Sequence, residues 1–356
     1  MIILAIETSC DDTCVAILKT RNSKLEILSN IVSSQVKLHA KYGGVWPYLA
    51  KREHQKNLPI VYKKAMKEAK NPKIDLIAVT IGPGLEPCLW TGVNFTKDLA
   101  KSLKLPLVPL NHIEAHIFAN FLNPKYLILN TKYSFPAVCL VVSGGHTQLI
   151  LMRDFGKYKI LGETRDDAAG ECFDKVARIL GLGYPGGPAI AAAATNLKPK
   201  TYNLKPKLPR PMIYQKNYDF SFSGLKTAVL YDFKSQTPQK RKSKEYIQAM
   251  AKEIQQAIID VLIQKTLKAA KEFRVKSIIL GGGVAANDEL RKQFNLKIEN
   301  WKLKFLVPPK IYCTDNAAMV ALTSYFYHPL KEKYNLEKIK PNANLRIGKT
   351  YAPKSL

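Results

Sequence analysis

The sequence has few acidic residues for its size and no closely spaced cysteine pair. Its 356 residues include 28 Asp and Glu against 55 Lys and Arg, which gives a formal net charge of +27. Such an excess of positive charge favours association with a polyanion such as nucleic acid, although a lysine-rich genome is an alternative explanation. The six cysteines form no CxxC pair, which excludes a zinc ribbon and a disulfide framework and is typical of reduced thiols in a cytosol.

Long apolar segments are also missing. No run approaches the ~20 residues that span a bilayer. The apolar start of the chain, residues 2–6, runs directly into Glu7 and the acids that follow it, which excludes a signal peptide. We therefore expect a soluble, cytoplasmic protein without a membrane partner, folded as one large domain or two ordinary ones.

Short apolar segments bounded by turns predict an α/β chain. The first part reads as strands at 2–6, 14–18 and 25–31, a helix at 49–69, a strand at 75–81, a helix at about 88–103 and a strand at 105–110. Pro106 and Pro109 cannot donate to a ladder, so the last strand should be short or at a sheet edge. The same order recurs at 137–142, 147–152, 158–161 and 277–280, before a final helix from Asn316.

This repetition favours an actin-like fold, two duplicated RNase H-like lobes with an interlobe nucleotide cleft; a single Rossmann-type sheet with insertions is the alternative. We expect the first lobe at 1–110, joined by 326–356, and the second at 111–325 with a helical, basic insertion at about 162–260. Two basic clusters in that insertion are either solvated loops or contacts to RNA phosphates. They consist of Lys198, Lys200, Lys205, Lys207 and Arg210, and of Lys240, Arg241, Lys242 and Lys244.

Two histidines four residues apart are the sharpest chemical signal. His112 and His116 share one face of a helix, as a chelating pair requires, although many such pairs bind no metal. Asp315, just before the final helix, either completes a site of two histidines and one carboxylate or caps the helix. Glu114 lies ~200° around the helix from each histidine, so it is badly placed to be the base of a metalloprotease.

Glycine-rich segments are the second kind of signal. None of them is a Walker-type phosphate site, since GxxxxGK[ST] is absent. In residues 141–147 (VVSGGHT) the glycines either let backbone N–H groups approach a phosphate or form an ordinary tight hairpin. Residues 280–287 (LGGGVAAN) either seat an adenine or ribose or pack a helix on the sheet. The helix that carries Asp174 has acids near its N-terminus; these either only suit the helix macrodipole or, at Asp174, bind a ribose.

Seven segments together resemble the tRNA threonylcarbamoyladenosine transferases, the TsaD family, formerly called O-sialoglycoprotein endopeptidases. In order, they are IETSCDDT, HIEAH, VVSGGHT, DDAAGECFDKVARILGLGYPGGP, FSFSGLKTA, LGGGVAAN and TDNAAM, spanning residues 1 to about 325. The resemblance implies an enzyme that moves a threonylcarbamoyl group from threonylcarbamoyl-adenylate to the exocyclic amine of the adenosine next to the anticodon, in tRNAs reading ANN codons, with release of AMP. Val141 favours a bacterial-type member.

The resemblance also implies roles for individual residues. One divalent metal ion per subunit, iron or zinc, would be held by His112, His116 and Asp315. Asp11 and His146 would be the catalytic residues, although His146 can equally be a structural part of the hairpin. The residues that would bind the substrate are Val141, Val142, Ser143, Gly144 and Gly145 at its phosphate and acyl end, Asp174 and Gly187 at the ribose, and Asn287 beside the adenine.

The implied partners are tRNA, an adaptor paralogue and a small ATPase of the bacterial modification complex. The chain departs from the family pattern at Trp46, Tyr48 and Asp12, where a smaller apolar residue, Glu and Glu are usual. Two other functions are weighed against the transferase. An actin-fold kinase or ATPase would leave the histidine pair idle, and retention of the histidines and Asp315 argues against a catalytically silent scaffold.

Overall fold

A computed structural model describes residues 1–21, 24–122, 135–195, 206–327 and 335–348, and it contains every strand and helix predicted above. The strands are β1 (Ile2–Glu7), β2 (Asp12–Arg21), β3 (Lys24–Ser34), β4 (Leu76–Gly82), β5 (Leu107–Asn111), β6 (Ala137–Val142), β7 (Thr147–Asp154), β8 (Lys157–Glu163), β9 (Ser277–Gly281) and β10 (Lys304–Leu306). The three-residue β10 was not predicted, because so short a segment carries no periodic signal.

The helices alternate with these strands. They are α1 (Val36–Ala40), α2 (Pro47–Glu68), α3 (Glu86–Leu103), α4 (His112–Phe118), α5 (Ala169–Ile179), α6 (Gly186–Thr195), α7 (Ser223–Ser235), α8 (Pro238–Lys242), α9 (Lys244–Glu272), α10 (Asp288–Ile298) and α11 (Ala317–Tyr327). Within the described part of the chain, none of them combines the length and the apolar character needed to cross a bilayer.

Two five-stranded sheets repeat one strand order. The first runs β3-β2-β1-β4-β5 and the second β8-β7-β6-β9-β10. In each, the central strand pairs antiparallel with its hairpin partner and parallel with the next strand: β1 with β2 and β4, and β6 with β7 and β9. The repeat predicted from the sequence is therefore present, and β5 takes the edge position that its prolines favour.

The described residues form two compact units, each with one sheet. The first unit draws on residues within 1–133, 154–158 and 308–356, and the second on residues within 134–153 and 159–307. These boundaries differ from the expected ones, because α4 and α11 belong to the first unit. Residues 317–324 of the apolar α11 are buried, and the helix packs on β1, β2 and α4.

Parallel pairing brings several chain segments to one edge of the first sheet. The strands β1, β4 and β5 run parallel, so their carboxyl ends lie side by side, and this is the edge at which α/β sheets commonly bind ligands. Glu7 ends β1, Thr80 lies near the end of β4, and α4 begins directly after β5. The position of His112 at the first residue of α4 therefore follows from the topology.

Three glycines in the second unit let backbone segments meet. A Cβ atom added to Gly170 would lie 2.5 Å from the Ser143 carbonyl oxygen, and one on Gly282 would lie 2.4 Å from the Val142 carbonyl oxygen. One on Gly186 would lie 2.5 Å from the Asp174 Cα atom. Only a residue without a side chain fits at such contacts, so the loop after β6, helices α5 and α6 and the segment after β9 are held together here.

Replacing Gly282 by alanine should lower the free energy of unfolding by about 1–3 kcal/mol. Its φ of +87° is unfavourable for any residue with a side chain, and the added methyl group would strike the backbone at Val142. Urea-induced unfolding measures the loss. Gly224→Ala is the matched control: it lies in the first turn of α7 with nothing within 4 Å of an added Cβ, and the change should be neutral or stabilising by up to about 1 kcal/mol. Equal losses in both variants would contradict this account.

Candidate metal centre and nucleotide-binding loops

Three side chains of the first unit converge at the carboxyl edge of its sheet. The Nε2 atoms of His112 and His116 lie 3.1 Å apart. The Asp315 Oδ1 atom lies 3.5 Å from His112 Nε2 and 3.2 Å from His116 Nε2. The two imidazoles are buried, whereas 20% of the Asp315 side chain is exposed. The structure thus brings together three residues that the sequence scatters over two hundred positions.

Asp315 and Asn316, which directly precede α11, have different roles. The Asn316 side chain accepts a hydrogen bond from the Met319 backbone N–H at 3.0 Å and so caps the helix. Asp315 instead directs its carboxylate at the two histidines. The sequence left open whether Asp315 is a cap or a ligand, and this geometry favours the ligand.

The spacing of the donor atoms fits a metal ion. With metal–ligand distances of about 2.0–2.2 Å, adjacent ligand atoms lie about 3.0 Å apart in octahedral and about 3.4 Å apart in tetrahedral coordination. The observed separations are 3.1–3.5 Å. Two nitrogen lone pairs facing each other at this distance repel unless a proton or a cation lies between them. Two histidines and one carboxylate, with positions left for other ligands, are also a recurrent set for iron and zinc.

A fully buried carboxylate lies behind His112. The Glu7 Oε2 atom is 3.1 Å from His112 Nδ1 and accepts a hydrogen bond from the Thr80 hydroxyl at 2.6 Å. Its Oε1 atom accepts from the Ser9 backbone N–H at 2.5 Å. From the sequence Glu7 was only the acid that ends the apolar start of the chain and had no role, whereas it is the last residue of β1 and 0% exposed. An acid that directly continues an apolar strand was the available signal.

The residues expected to bind a nucleotide lie in the second unit. In the loop after β6, the Ser143 N–H donates to the His146 carbonyl at 2.8 Å and the His146 N–H donates to the Ser143 hydroxyl at 3.1 Å. A Cβ added to Gly144 or Gly145 would meet nothing within 4 Å, so the outer side of this turn is open. Asp174 accepts from the Gly186 N–H at 2.6 Å, which places its carboxylate beside Gly187.

Comparison with known proteins shows which family this chain is similar to. The family TsaD, tRNA N6-adenosine threonylcarbamoyltransferase, matches residues 26–322. A protein of that name from Thermosipho africanus is 49% identical over 328 residues, 91% of this chain and 94% of the relative. One from Syntrophomonas wolfei is 48% identical over 329 residues, 92% of each chain. This chain belongs to the tRNA N6-adenosine threonylcarbamoyltransferase family.

Solved structures support the fold of this family member. Full-length HypF, crystallised in a phosphate- and nucleotide-bound form, aligns with a TM-score of 0.58 at 12% identity, covering 93% of this chain and 47% of HypF. HypF of T. kodakarensis aligns with the same TM-score at 15% identity, covering 91% of this chain and 47% of its own. The chain therefore spans about half the length of these proteins. At such low identity the likeness concerns the fold alone, and the predicted actin-like fold is confirmed.

Neighbouring carboxylates control the protonation of the histidine pair in this member of the transferase family. Burial lowers the pKa of His112, but Asp315 and Glu7 raise it to about 9. Burial, and then the positive charge of His112, lower the pKa of His116. Burial of Glu7 acts to raise the pKa of that carboxyl, but His112 and the hydrogen bonds lower it. In the absence of a cation the pair therefore holds one proton more than two neutral imidazoles, and a metal ion must displace that proton.

Two more acids follow β1: Asp11 in the turn and Asp12 as the first residue of β2. Burial, and then the charge of Asp315, raise the pKa of Asp11 above its usual range and that of Asp12 to about 7. The turn is held by His54 of α2, whose Nε2–H donates to the Cys10 carbonyl at 2.9 Å and whose Nδ1 lies 2.8 Å from the Thr13 hydroxyl. His54 was not predicted, because it does not lie at a recognisable spacing from other candidate site residues. A raised pKa suits a carboxylate to accept a proton near neutral pH.

Glu114 and Asn287 have structural partners. Glu114 is fully buried and accepts a hydrogen bond from the Tyr327 hydroxyl. Its carboxylate is therefore engaged by α11 and not by the candidate metal ligands, and the protease interpretation lacks its base. The Asn287 Oδ1 atom accepts from the Leu290 N–H at 2.9 Å, and its amide donates to Gln255 at 2.9 Å. Asn287 is therefore a helix cap held at the end of the glycine segment; its place beside an adenine stays a prediction.

Zinc binding to this site should release about one proton per ion at pH 6.5. At that pH His112 carries a proton, because its pKa of about 9 lies above the solution pH, whereas the lowered pKa of His116 leaves that ring neutral. Zn²⁺ affinity should therefore rise about tenfold per pH unit until His112 loses its proton. Titration calorimetry in buffers of different ionisation enthalpy counts the protons released, and a count of zero would contradict the assigned protonation.

Proposed function

We propose that this chain transfers a threonylcarbamoyl group from threonylcarbamoyl-adenylate to the exocyclic amine of the adenosine next to the anticodon, in tRNAs that read ANN codons, and releases AMP. The observation that carries this proposal is the convergence of His112, His116 and Asp315 within 3.1–3.5 Å in a member of the transferase family. A kinase binds its metal through ATP phosphates and carboxylates and has no use for a buried imidazole pair.

The proposed cofactor is one divalent metal ion per subunit, iron or zinc, held by His112, His116 and Asp315. Both metals accept mixed histidine and carboxylate ligands. When bound, such an ion supplies positive charge that stabilises the negative charge developing on the acyl and phosphate oxygens. The buried imidazoles are fixed ligands, because their positions are set by one helix that is anchored at Asn111, the cap of α4.

The reaction makes one bond and breaks one. The adenosine amine bonds to the carbamoyl carbon, the bond from that carbon to the AMP phosphate oxygen breaks, and the amine loses a proton. The adenylate is already an activated anhydride, so holding the two reactants in place can supply about 7–11 kcal/mol of the barrier reduction. We assign the proton to Asp11, whose pKa is raised and whose buried Oδ2 atom has no hydrogen-bond partner among the described residues.

The adenylate is assigned to the second unit. Residues 141–145 would hold its phosphate and acyl end, since the turn at Gly144 and Gly145 is open on its outer side. Asp174 and Gly187, brought together by the Asp174–Gly186 hydrogen bond, would hold the ribose. Asn287 would border the adenine, and His146 would orient the intermediate.

An assay with purified chain, tRNA and threonylcarbamoyl-adenylate tests the proposed function. His112→Ala should abolish transfer through loss of the metal. Asp11→Asn should slow transfer about 10²–10⁴-fold while zinc content and tRNA affinity stay those of the parent. Glu114→Gln, which alters a buried acid of α4 that faces away from the site, is the control and should retain the rate. Parental activity in His112→Ala would refute the metal's role, and parental activity in Asp11→Asn would refute the assigned base.

The proposal includes partners besides tRNA. The family resemblance implies an adaptor paralogue and a small ATPase of a bacterial modification complex, and a tRNA substrate places the work in the cytoplasm. Purified chain assayed with and without the two proteins measures how far they raise the rate of transfer.

We assign tRNA contact to the second basic cluster. Lys240, Lys242 and Lys244 are exposed at α8 and the start of α9. Arg241 serves the fold instead: its guanidinium donates to the Gln236 carbonyl and lies 5.4 Å from the centre of the Phe233 ring.

The first cluster offers less to an RNA phosphate. Its Arg210 forms ion pairs with Glu253 and Asp260, so the charge of this guanidinium is already matched. Lys207 is exposed, and Lys198, Lys200 and Lys205 lie outside the described residues. The three lysines at 240, 242 and 244 therefore remain the best candidates.

Neutralising the second cluster should weaken tRNA binding and flatten its salt dependence. Each lost phosphate contact lowers the slope of log affinity against log salt by about 0.7–0.9. Changing Lys240, Lys242 and Lys244 together to Gln should therefore reduce that slope by about 2–3. Filter binding over a range of salt concentrations measures it. The matched control changes the exposed Lys63, Lys64 and Lys67 of α2, and equal effects in the two triple variants would refute the assignment.

A further inference from the structure

We infer that Glu7 is a positioning residue of the metal centre: it holds the His112 ring with a proton on Nδ1, so that the Nε2 lone pair faces the metal ion. The inference rests on the proposed metal site, but it concerns a residue that binds neither metal nor substrate. It follows from the hydrogen bonds that the Glu7 carboxylate makes inside the first unit.

The partners of Glu7 leave one arrangement of protons. A backbone N–H can only donate, so the 2.5 Å contact from Ser9 N makes Oε1 an acceptor. The Thr80 hydroxyl donates to Oε2 at 2.6 Å. An ionised carboxylate has only acceptor sites, so the remaining 3.1 Å contact to His112 Nδ1 requires an N–H on that ring atom. In a neutral imidazole the other nitrogen, Nε2, is then the one able to bind a metal.

Glu7 is buried although it is charged, so its hydrogen-bond donors are required and are not incidental contacts. Glu7 is 0% exposed, and the other members of β1 are apolar residues. A charge is tolerated in such a place only when donors surround it, and here they come from the following turn, from β4 and from α4. His116 has no equivalent: its Nδ1 atom lacks a hydrogen-bond partner in the described part of the chain. The protein therefore fixes the orientation and tautomer of His112 in particular.

A glutamine at position 7 would reverse this arrangement at almost the same size. Glutamine has one acceptor oxygen and one NH₂ donor. If its oxygen keeps the Ser9 N–H, its NH₂ group faces His112 Nδ1, and the ring must carry its proton on Nε2, the metal-binding atom. If the amide is turned around, two N–H donors oppose each other at Ser9. The first outcome disfavours metal binding without removing a ligand, and the second leaves two opposed donors buried at Ser9.

The test is the affinity of the full chain for Zn²⁺, measured by competition with a chromogenic chelator. Glu7→Gln should bind Zn²⁺ about 10–100-fold more weakly than the parent, as is typical when a metal-bound histidine loses its outer partner. Thr80→Val removes a hydrogen bond from the same carboxylate but leaves the carboxylate in place, so it should change the affinity less than about threefold. Glu114→Gln, on the far side of α4, should not change it.

A second measurement separates positioning from general loss of structure. In the Zn²⁺-loaded parent, the His112 Nδ1–H bonded to Glu7 should give a low-field imidazole proton signal in NMR spectra, identified by its absence from His112→Ala. The signal should persist in Thr80→Val and vanish in Glu7→Gln, while circular dichroism shows both variants folded. Parental Zn²⁺ affinity in a folded Glu7→Gln variant would overturn the inference alone. Failure of the parent itself to bind Zn²⁺ would overturn the metal site as well.

Discussion

The hydrogen bonds to one buried carboxylate constrain the whole candidate metal centre. Glu7 receives donors from the turn after β1, from β4 and from the first residue of α4. Because an interior charge is costly unless all of these donors stay in place, the three segments are held in one relative position. The position of α4 then fixes His112 and His116 together, since they lie four residues apart on one helix, and α11, packed on α4 and β1, brings Asp315 to them.

The second unit is organised by a different constraint, the close approach of backbones. Gly170 and Gly282 allow α5 and the segment after β9 to touch the loop after β6, and Gly186 allows the start of α6 to touch Asp174. No charge pairing is needed at these contacts, and the glycines that make them are distinct from Gly144 and Gly145, whose outer sides are open. The glycines that let backbone segments meet are therefore different residues from the glycines whose outer sides are open.

The sequence predicted the elements well because their signal is local. Apolar runs and turn residues gave the strands, and prolines gave the edge position of β5. The histidine pair was visible because its spacing matches one helical turn. Glu7 was missed because its donors are up to 105 residues away. Its direct continuation of an apolar strand was a local signal, but that signal does not show which groups surround the carboxylate. The packing of α11 was not predictable for the same reason: the helix is apolar on most of its surface, and the sequence does not say which sheet will bury it.

The three metal-ligand candidates differ in their exposure to solvent. The side chains of His112 and His116 are 7% and 1% exposed, whereas that of Asp315 is 20% exposed. Glu7 and the rest of the sheet edge close the side behind His112. If the three side chains hold an ion, its remaining ligand positions would lie on the side of Asp315, near Asp11 and Asp12, whose pKa values respond to the Asp315 charge. A centre closed on one side and accessible on the other suits a metal that holds and releases a substrate during each turnover, whereas a purely structural ion is usually enclosed by four protein ligands.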